Sequence, residues 1–180
     1  MAPLKRYAQK VQIRKYRDSD ASSTLELFLR AIRETASADF TPEEIAAWAQ
    51  DDRKLDVWAA KRAEASTIVA TINGVLVGFT DLDSSGYIDM MFVHPDYGRR
   101  GVASTLLGHI VSLAQLRGIT ELRTHASITA RPFFAKHGFV VVSEQYPVLD
   151  EVELSNFVMR RNLKFREKDG DLSAGSESMR

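Results

Sequence analysis

The stretch that decides the fold is Tyr87–Ala114, YIDMMFVHPDYGRRGVASTLLGHIVSLA. Its apolar run, Ile88 to Val93, reads as a strand, and His94-Pro95 closes it because proline has no N–H to extend a ladder. A short polar loop follows, Asp96-Tyr97-Gly98-Arg99-Arg100-Gly101. Beyond it Ala103, Leu106, Leu107, Ile110, Val111 and Ala114 recur at the spacing of one helix face. Strand, basic glycine-containing loop, helix: this order aims a helix N-terminus, with its unpaired N–H groups, at whatever the loop holds. A phosphate or pyrophosphate suits such a place, since Arg99 and Arg100 bring charge and the glycines let the backbone come close. Packing alone also puts a glycine in many such turns. The loop is not a Walker loop, for no Gly-Lys-Ser/Thr follows, and Gly98, Gly101 and Ala103 lack the spacing of a dinucleotide turn.

Upstream, Val11 to Tyr16 alternates as a first strand, and Asp18-Ser19-Asp20 offers caps for a helix that carries Leu25, Phe28, Leu29 and Ile32 on one face. Thr41-Pro42-Glu43-Glu44 starts a second helix, with Thr41 as N-cap, Pro42 at the first position and Glu44 closing a capping box. A third helical piece, Leu55 to Ala63, presents Val57 and Trp58. Thr67 to Ile72 and Val75 to Leu82 flank Asn73-Gly74, a strong hairpin signal, and Asp83 to Gly86 turns the chain into the strand of the opening stretch. Downstream, Gly118 ends the helix and Ile119 to Ala126 reads as a strand parallel to its predecessor. A short helix within Ser127 to His137 precedes last strands at Phe139 to Tyr146 and Val152 to Leu163, joined by a turn at Pro147 to Glu151.

Composition sets the class. The 180 residues are enough for one domain with a proper core, and 44% hydrophobic and 27% charged residues are ordinary for a soluble protein. Lys and Arg number 24 against 24 Asp and Glu, so no global field favours nucleic acid or an acidic membrane. The absence of cysteine excludes disulfides, thiolate nucleophiles and zinc ribbons, and the four histidines have no metal-ligand spacing. MAPLKRYAQK lacks the apolar stretch of a secretory signal, and no run reaches membrane-spanning length. The expectation is cytoplasmic, with neither membrane nor nucleic acid as partner.

Val93-His94-Pro95-Asp96-Tyr97-Gly98-Arg99-Arg100-Gly101-Val102-Ala103 resembles the acyl-CoA-binding segment of the GNAT N-acetyltransferase superfamily, Val-x-Pro-x-x-Gln/Arg-x-x-Gly-x-Gly/Ala, with Gly98 where the family usually has Gln or Arg. A second family pattern, Asn-x-x-Ala-x-x-x-Tyr then Gly-Phe, is matched in part by Ser127 to Phe139. Ala130, Gly138 and Phe139 fit, Ser127 takes the Asn place and Phe134 the Tyr place. The resemblance covers Val11 to Leu163. It implies an α/β GNAT fold: a twisted, mostly antiparallel sheet with a parallel central pair splayed open and helices on both faces. The expected layout is a flexible segment at 1–10, an acyl-CoA N-acyltransferase domain at 11–163 and a disordered tail at 164–180.

The same resemblance implies acetyl-CoA as cosubstrate. Its pyrophosphate would lie on the N–H groups of Arg99, Arg100, Gly101, Val102, Ala103 and Ser104, and its pantetheine arm along Met91, Phe92 and Val93. Ser127 and Phe134 would border it, and a main-chain N–H near Phe92 or Val93 would be the oxyanion donor. Phe134 cannot donate a proton to the departing thiolate as the family's tyrosine does. Tyr146, Ser127, His125 and Tyr97 are the candidates for that work. Asp89 is the expected base, because a carboxylate inside an apolar strand is costly to bury unpaired; facing solvent or pairing with an arginine would also explain it. Phe28, Trp48 and Trp58, with Phe40, are expected on the acceptor side, although two tryptophans so close are more often core. Glu43 or Glu44 would meet a cationic acceptor, and Lys136 a CoA phosphate. The expected function is acetylation of a small primary amine; a peptide amine, or a non-catalytic CoA-binding module, is the alternative. The last strand or the first helices could mediate a homodimer.

Overall fold

A tight hairpin sets the layering. Strands β2 (Ile68–Ile72) and β3 (Val75–Thr80) turn through Asn73 and Gly74, whose φ of 51° and 81° are both left-handed, as a type I′ turn demands. Ile68, Ala70, Ile72 and Val77 then face one core, while Val69 and Phe79 face another. The first core is filled by α4 (Val102–Leu116) through Val102, Leu106, Leu107, Ile110 and Ala114. The second is filled by Leu27 and Phe28 of α1 (Ala21–Arg30) and Trp58 of α3 (Leu55–Glu64). Helices therefore cover both faces. The computed structural model describes residues 10–164, so the flexible and disordered ends expected at 1–10 and 164–180 lie, apart from Lys10 and Lys164, outside the described residues.

β1 (Gln12–Lys15), β2, β3 and β5 (Met91–Val93) form one antiparallel sheet, in that order. β4 (Tyr87–Ile88), β6 (Glu121–Ser127), β10 (Asn156–Asn162) and β7 (Val140–Gln145) form the other, with β4 parallel to β6, as strands joined by a helical crossover are. The expected single strand Ile88 to Val93 is thus divided, and it belongs to both sheets. Ile88, Met91 and Val93 pack into the α4 core, whereas Met90 and Phe92 pack into the other. Strict alternation would have put Met90 and Phe92 with Ile88, so one extra residue at Asp89-Met90 resets the parity, as a β-bulge does.

The cause lies eight residues upstream. Oδ1 of the buried Asp81 accepts the N–H groups of both Asp89 (2.9 Å) and Met90 (3.1 Å), and Oδ2 accepts from Arg62 Nη1 of α3 at 2.8 Å. Burial raises the Asp81 carboxyl above its usual range, against the opposing pull of the Met90 N–H and Arg62.

Helix α2 (Pro42–Trp48) begins with the capping box expected of it: Thr41 Oγ1 accepts from Glu44 N (3.3 Å), and Glu44 Oε2 accepts from Thr41 N (2.7 Å). The turn expected at Pro147 to Glu151 is instead a small hairpin, β8 (Val148–Leu149) and β9 (Val152–Glu153), with Asp150 and Glu151 both at positive φ. Leu149 and Leu154 from this hairpin region pack with Phe40, Ile45 and Trp48, tying it to α2.

Candidate active site

The sheet opens where the two halves of the divided strand part. β4 stays paired with β6 through Tyr87↔Arg123 and Ile88↔Thr124, while β5 follows β3, leaving His125 to Ser127 without a neighbour on that side. Asp81 N donates to Met90 O (3.2 Å) and His94 N to Val77 O (2.9 Å), which makes Phe79 and Phe92 the hydrogen-bonded pair between them. The N–H and C=O of Phe92 are thereby committed to β3. Those of Met91 and Val93 face the opening. Of the two residues proposed from sequence near the oxyanion donor, Val93 has its N–H turned to the gap and Phe92 does not.

α5 (Arg131–Lys136) and α4 flank one side of this opening. Among the described residues the backbone N–H groups of Arg99, Arg100, Gly101, Val102, Ala103 and Ser104 have no acceptor within the chain; the first helical donor to find one is Thr105, to Gly101 O at 2.9 Å. Arg99 at φ 62° and Gly101 at φ 80° curl the loop so that these groups converge ahead of the helix, a concavity suited to an anion. Gly78 lets α4 sit this close to β3: a Cβ there would lie 2.9 Å from Val102 Cγ1. Arg100 lies over the Tyr97 ring at 5.1 Å, and Arg99, Arg100 and Lys136 are all exposed. His137 holds α5 to α4. Its Nδ1 meets Phe133 O at 2.8 Å, which requires the proton on Nδ1, so in the neutral ring Nε2 accepts from Ser104 Oγ at 3.2 Å.

A cavity of about 410 Å³ fills the opening and runs under α1 and α2. Of the residues singled out from sequence, Asp89, His125, Ser127, Phe134, Phe28, Trp48, Phe40, Met91 and Phe92 line it together. Asp89 stands on the bulge with its carboxylate 57% exposed and 4.0 Å from Arg62 Nη2. His125 stacks edge-on against Tyr87, ring centroids 5.2 Å apart. The Tyr87 phenol, also in the wall, is pushed up to about 12 by burial first and by Asp89, Asp81 and Asp83 next, so it keeps its proton through the neutral range. Ser127 Oγ accepts from Ala130 N (3.1 Å), starting the turn into α5, and Phe134 is buried against Phe133 and Phe139.

Some expected members stand elsewhere. Trp58 is core: it is 4% exposed, packed on Phe28 and Phe79, and its indole N–H donates to Thr24 Oγ1 at 3.0 Å. Tyr146 is exposed at the end of β7 and outside the cavity wall, because the β8–β9 hairpin, through Pro147, Val148 and Leu149, occupies the rim. Glu44 is spent on its capping box, and Glu43 is exposed away from the wall. The sequence reading missed Arg53. It lines the cavity with its Cζ 5.0 Å from the Phe28 ring centroid and Nη2 donating to Trp48 O at 3.0 Å, and burial pulls its guanidinium below the ordinary value. Its position in a polar loop, Asp51-Asp52-Arg53-Lys54, carries no signal of this. Among the described residues no group of His, Asp and Glu is arranged to hold a metal.

Comparison with known proteins agrees with this geometry. Residues 36–153 match the family model described as an acetyltransferase (GNAT) domain. The uncharacterized N-acetyltransferase YafP of Escherichia coli is 41% identical over 150 residues, covering 83% of this chain and 95% of that protein. A GCN5-related N-acetyltransferase from Rhodopseudomonas palustris superposes with a TM-score of 0.81 at 35% identity, over 84% of this chain and 95% of that one. The PaiA N-acetyltransferase of Thermoplasma acidophilum, solved in complex with coenzyme A, shares the fold with a TM-score of 0.69 at 19% identity, over 85% and 99% of the two chains.

Proposed function

The chain belongs to the GNAT acetyltransferase family, and we propose that it moves the acetyl group of acetyl-CoA to the primary amine of a small molecule bound beneath α1 and α2. One observation carries this reading. The Met91 and Val93 backbone faces an opening that joins the unpaired N–H groups of Arg99 to Ser104 on one side to an aromatic-walled cavity on the other.

The residues fit the cosubstrate. Arg99 to Ser104 offer convergent N–H donors for a pyrophosphate, and Met91 and Val93 offer strand-like partners for an amide-containing arm. Acetyl-CoA, when bound, supplies a thioester whose C–S bond breaks as the amide C–N bond forms, with coenzyme A leaving as the thiol. We assign the Val93 N–H to the carbonyl oxygen, where it stabilises developing negative charge. Asp89, exposed in the cavity and fixed by the bulge, takes the proton from the amine directly or through one water. Phe134 leaves the acid position of the family without a proton donor. Ser127, His125 and Tyr87 line the cavity and are our candidates to protonate a departing thiolate, whereas Tyr146 is outside it.

The test is thiol release from acetyl-CoA across a panel of small amines, amino acids and short peptides. Turnover confined to small amines is expected, and Asp89→Asn lowers kcat by about a hundredfold or more. Turnover with peptides alone would refute the acceptor class. Full activity in Asp89→Asn would refute the base.

A further inference from the structure

Among the described residues Arg14, Arg30, Arg33 and Arg62 each meet a carboxylate, at 2.7, 2.6, 2.6 and 2.8 Å. Arg53 meets none. Its Nε is buried without an acceptor, its Nη2 holds the Trp48 carbonyl, and its Nη1 has no partner within the chain. Asp52 raises its pKa from a distance, but burial outweighs that and pulls the guanidinium down. The half-buried guanidinium thus has an aromatic ring and a carbonyl beside it but no carboxylate in contact, and an anionic ligand group would supply that counter-charge. The charge also has a fixed place. The guanidinium carbon lies 5.0 Å from the centre of the Phe28 ring, which meets Phe92 at 4.9 Å, and Trp48 closes on the same Phe92 ring at 6.3 Å.

We infer that Arg53 is the anion-binding end of the acceptor site, and that the acceptor is an amine that also bears a carboxylate. The inference rests on the acetyl-transfer reading given above. Asp89 and Arg53 line one cavity of about 410 Å³ and supply opposite charges, the pairing that a zwitterion needs. Asp89 receives the ammonium end and takes its proton. Arg53 receives the carboxylate, for which the planar fork of a guanidinium gives two parallel donors. Trp48, Phe40 and Leu149 enclose the body between them. The other cationic side chains of the active-site region, Arg99, Arg100 and Lys136, lie at the α4 and α5 side and are not in this wall.

The experiment uses amines that share a body and differ in the anion: propylamine with none, β-alanine and the proteinogenic amino acids with carboxylate, and O-phosphoethanolamine with phosphate. Each is assayed by thiol release with wild type, Arg53→Met and Arg53→Lys. Wild type prefers the carboxylated amines. Arg53→Met lowers the ratio of kcat/KM for carboxylated over neutral amine by about tenfold to a hundredfold, through KM, and Arg53→Lys restores part of it. Binding of N-acetylated amino acids and of their amides to the CoA-saturated protein, followed by calorimetry, reads the same site without turnover. Binding of the acids that Arg53→Met abolishes supports the carboxylate site even where no amine is acetylated, which would sink the acetyl-transfer reading alone. Equal binding of acids and amides, a ratio that Arg53→Met leaves unmoved, or a preference for O-phosphoethanolamine overturns the inference. A melting curve for each variant separates loss of fold from loss of the subsite.

Discussion

Replacing Asp81 by Asn should strongly destabilise the domain, and replacing Arg62 as well should restore most of the loss. Asp81 and Arg62 side chains are 3% and 4% exposed and 2.8 Å apart. In Asp81→Asn the amide oxygen still accepts from the N–H groups of Asp89 and Met90, but an amide faces a buried guanidinium that has lost its hydrogen-bonded counter-charge and keeps only the exposed Asp89 carboxylate, 4.0 Å away. Breaking a buried pair in this way costs about 3–5 kcal/mol, against a total stability of about 5–15 kcal/mol. With a urea slope of about 2 kcal/mol per molar, the midpoint falls by about 2 M. Arg62→Met is expected to cost a similar amount. The double variant leaves no unpaired charge and should lie within about 2 kcal/mol of wild type, a coupling of about 3 kcal/mol or more. Equilibrium urea unfolding at pH 7, followed by tryptophan fluorescence, gives all corners of the cycle. Additive losses, or an Asp81→Asn penalty under about 1 kcal/mol, would refute the reasoning. Asp81→Ala adds a further readout: it also strands the N–H groups of the bulge, so at matched stability it should lose more kcat than Asp81→Asn.

Gly101 sits at φ 80° with open space where a Cβ would point, so Gly101→Val acts through backbone conformation alone. Turning the N–H groups ahead of α4 should raise KM for acetyl-CoA by about tenfold, with kcat changed far less, as seen in initial rates at saturating acceptor; an unchanged KM would remove the loop from cofactor binding. Asp20 is held below the usual carboxylate range by Arg14, which donates to both its oxygens (2.7 and 2.9 Å), with help from Arg17 N. Because the folded value is the lower one, this stabilisation is complete above about pH 5 and is lost as pH falls through the folded value. Asp20→Asn should cost about 1–3 kcal/mol at pH 7 and flatten the unfolding free energy below about pH 4; a parallel displacement of the whole pH curve would contradict that assignment.

What could be read from the chain was chemistry written in neighbouring residues. Asn73-Gly74 announced a type I′ turn because few other pairs tolerate positive φ twice, and Thr41-Pro42-Glu43-Glu44 announced a helix start because its bonds close within four residues. The basic loop ahead of α4 belongs to the same class. The bulge does not. Nothing within Ile88 to Val93 says that alternation slips by one; the acceptor that holds it is Asp81, and Asp81 is held by Arg62 from another helix. Asp89 was singled out for a partial reason: a carboxylate in an apolar strand needs an explanation, but its exposure comes from the bulge. Trp58 and Phe28 show the converse. The family resemblance put both near the acceptor, yet Thr24 satisfies the Trp58 indole inside the core while Phe28 reaches the wall. Arg53 could not be read at all, since an arginine among acidic loop residues looks solvated until Phe28 and Trp48 are folded around it.

The account turns on where the acyl donor lies, and amide spectra of ¹⁵N-labelled protein titrated with coenzyme A test that most directly. The largest shifts should fall on Arg99 to Ser104 and on Met91 and Val93, with Phe92 moved far less because its N–H already serves β3. Shifts gathered elsewhere, or none at saturating coenzyme A, would contradict the account.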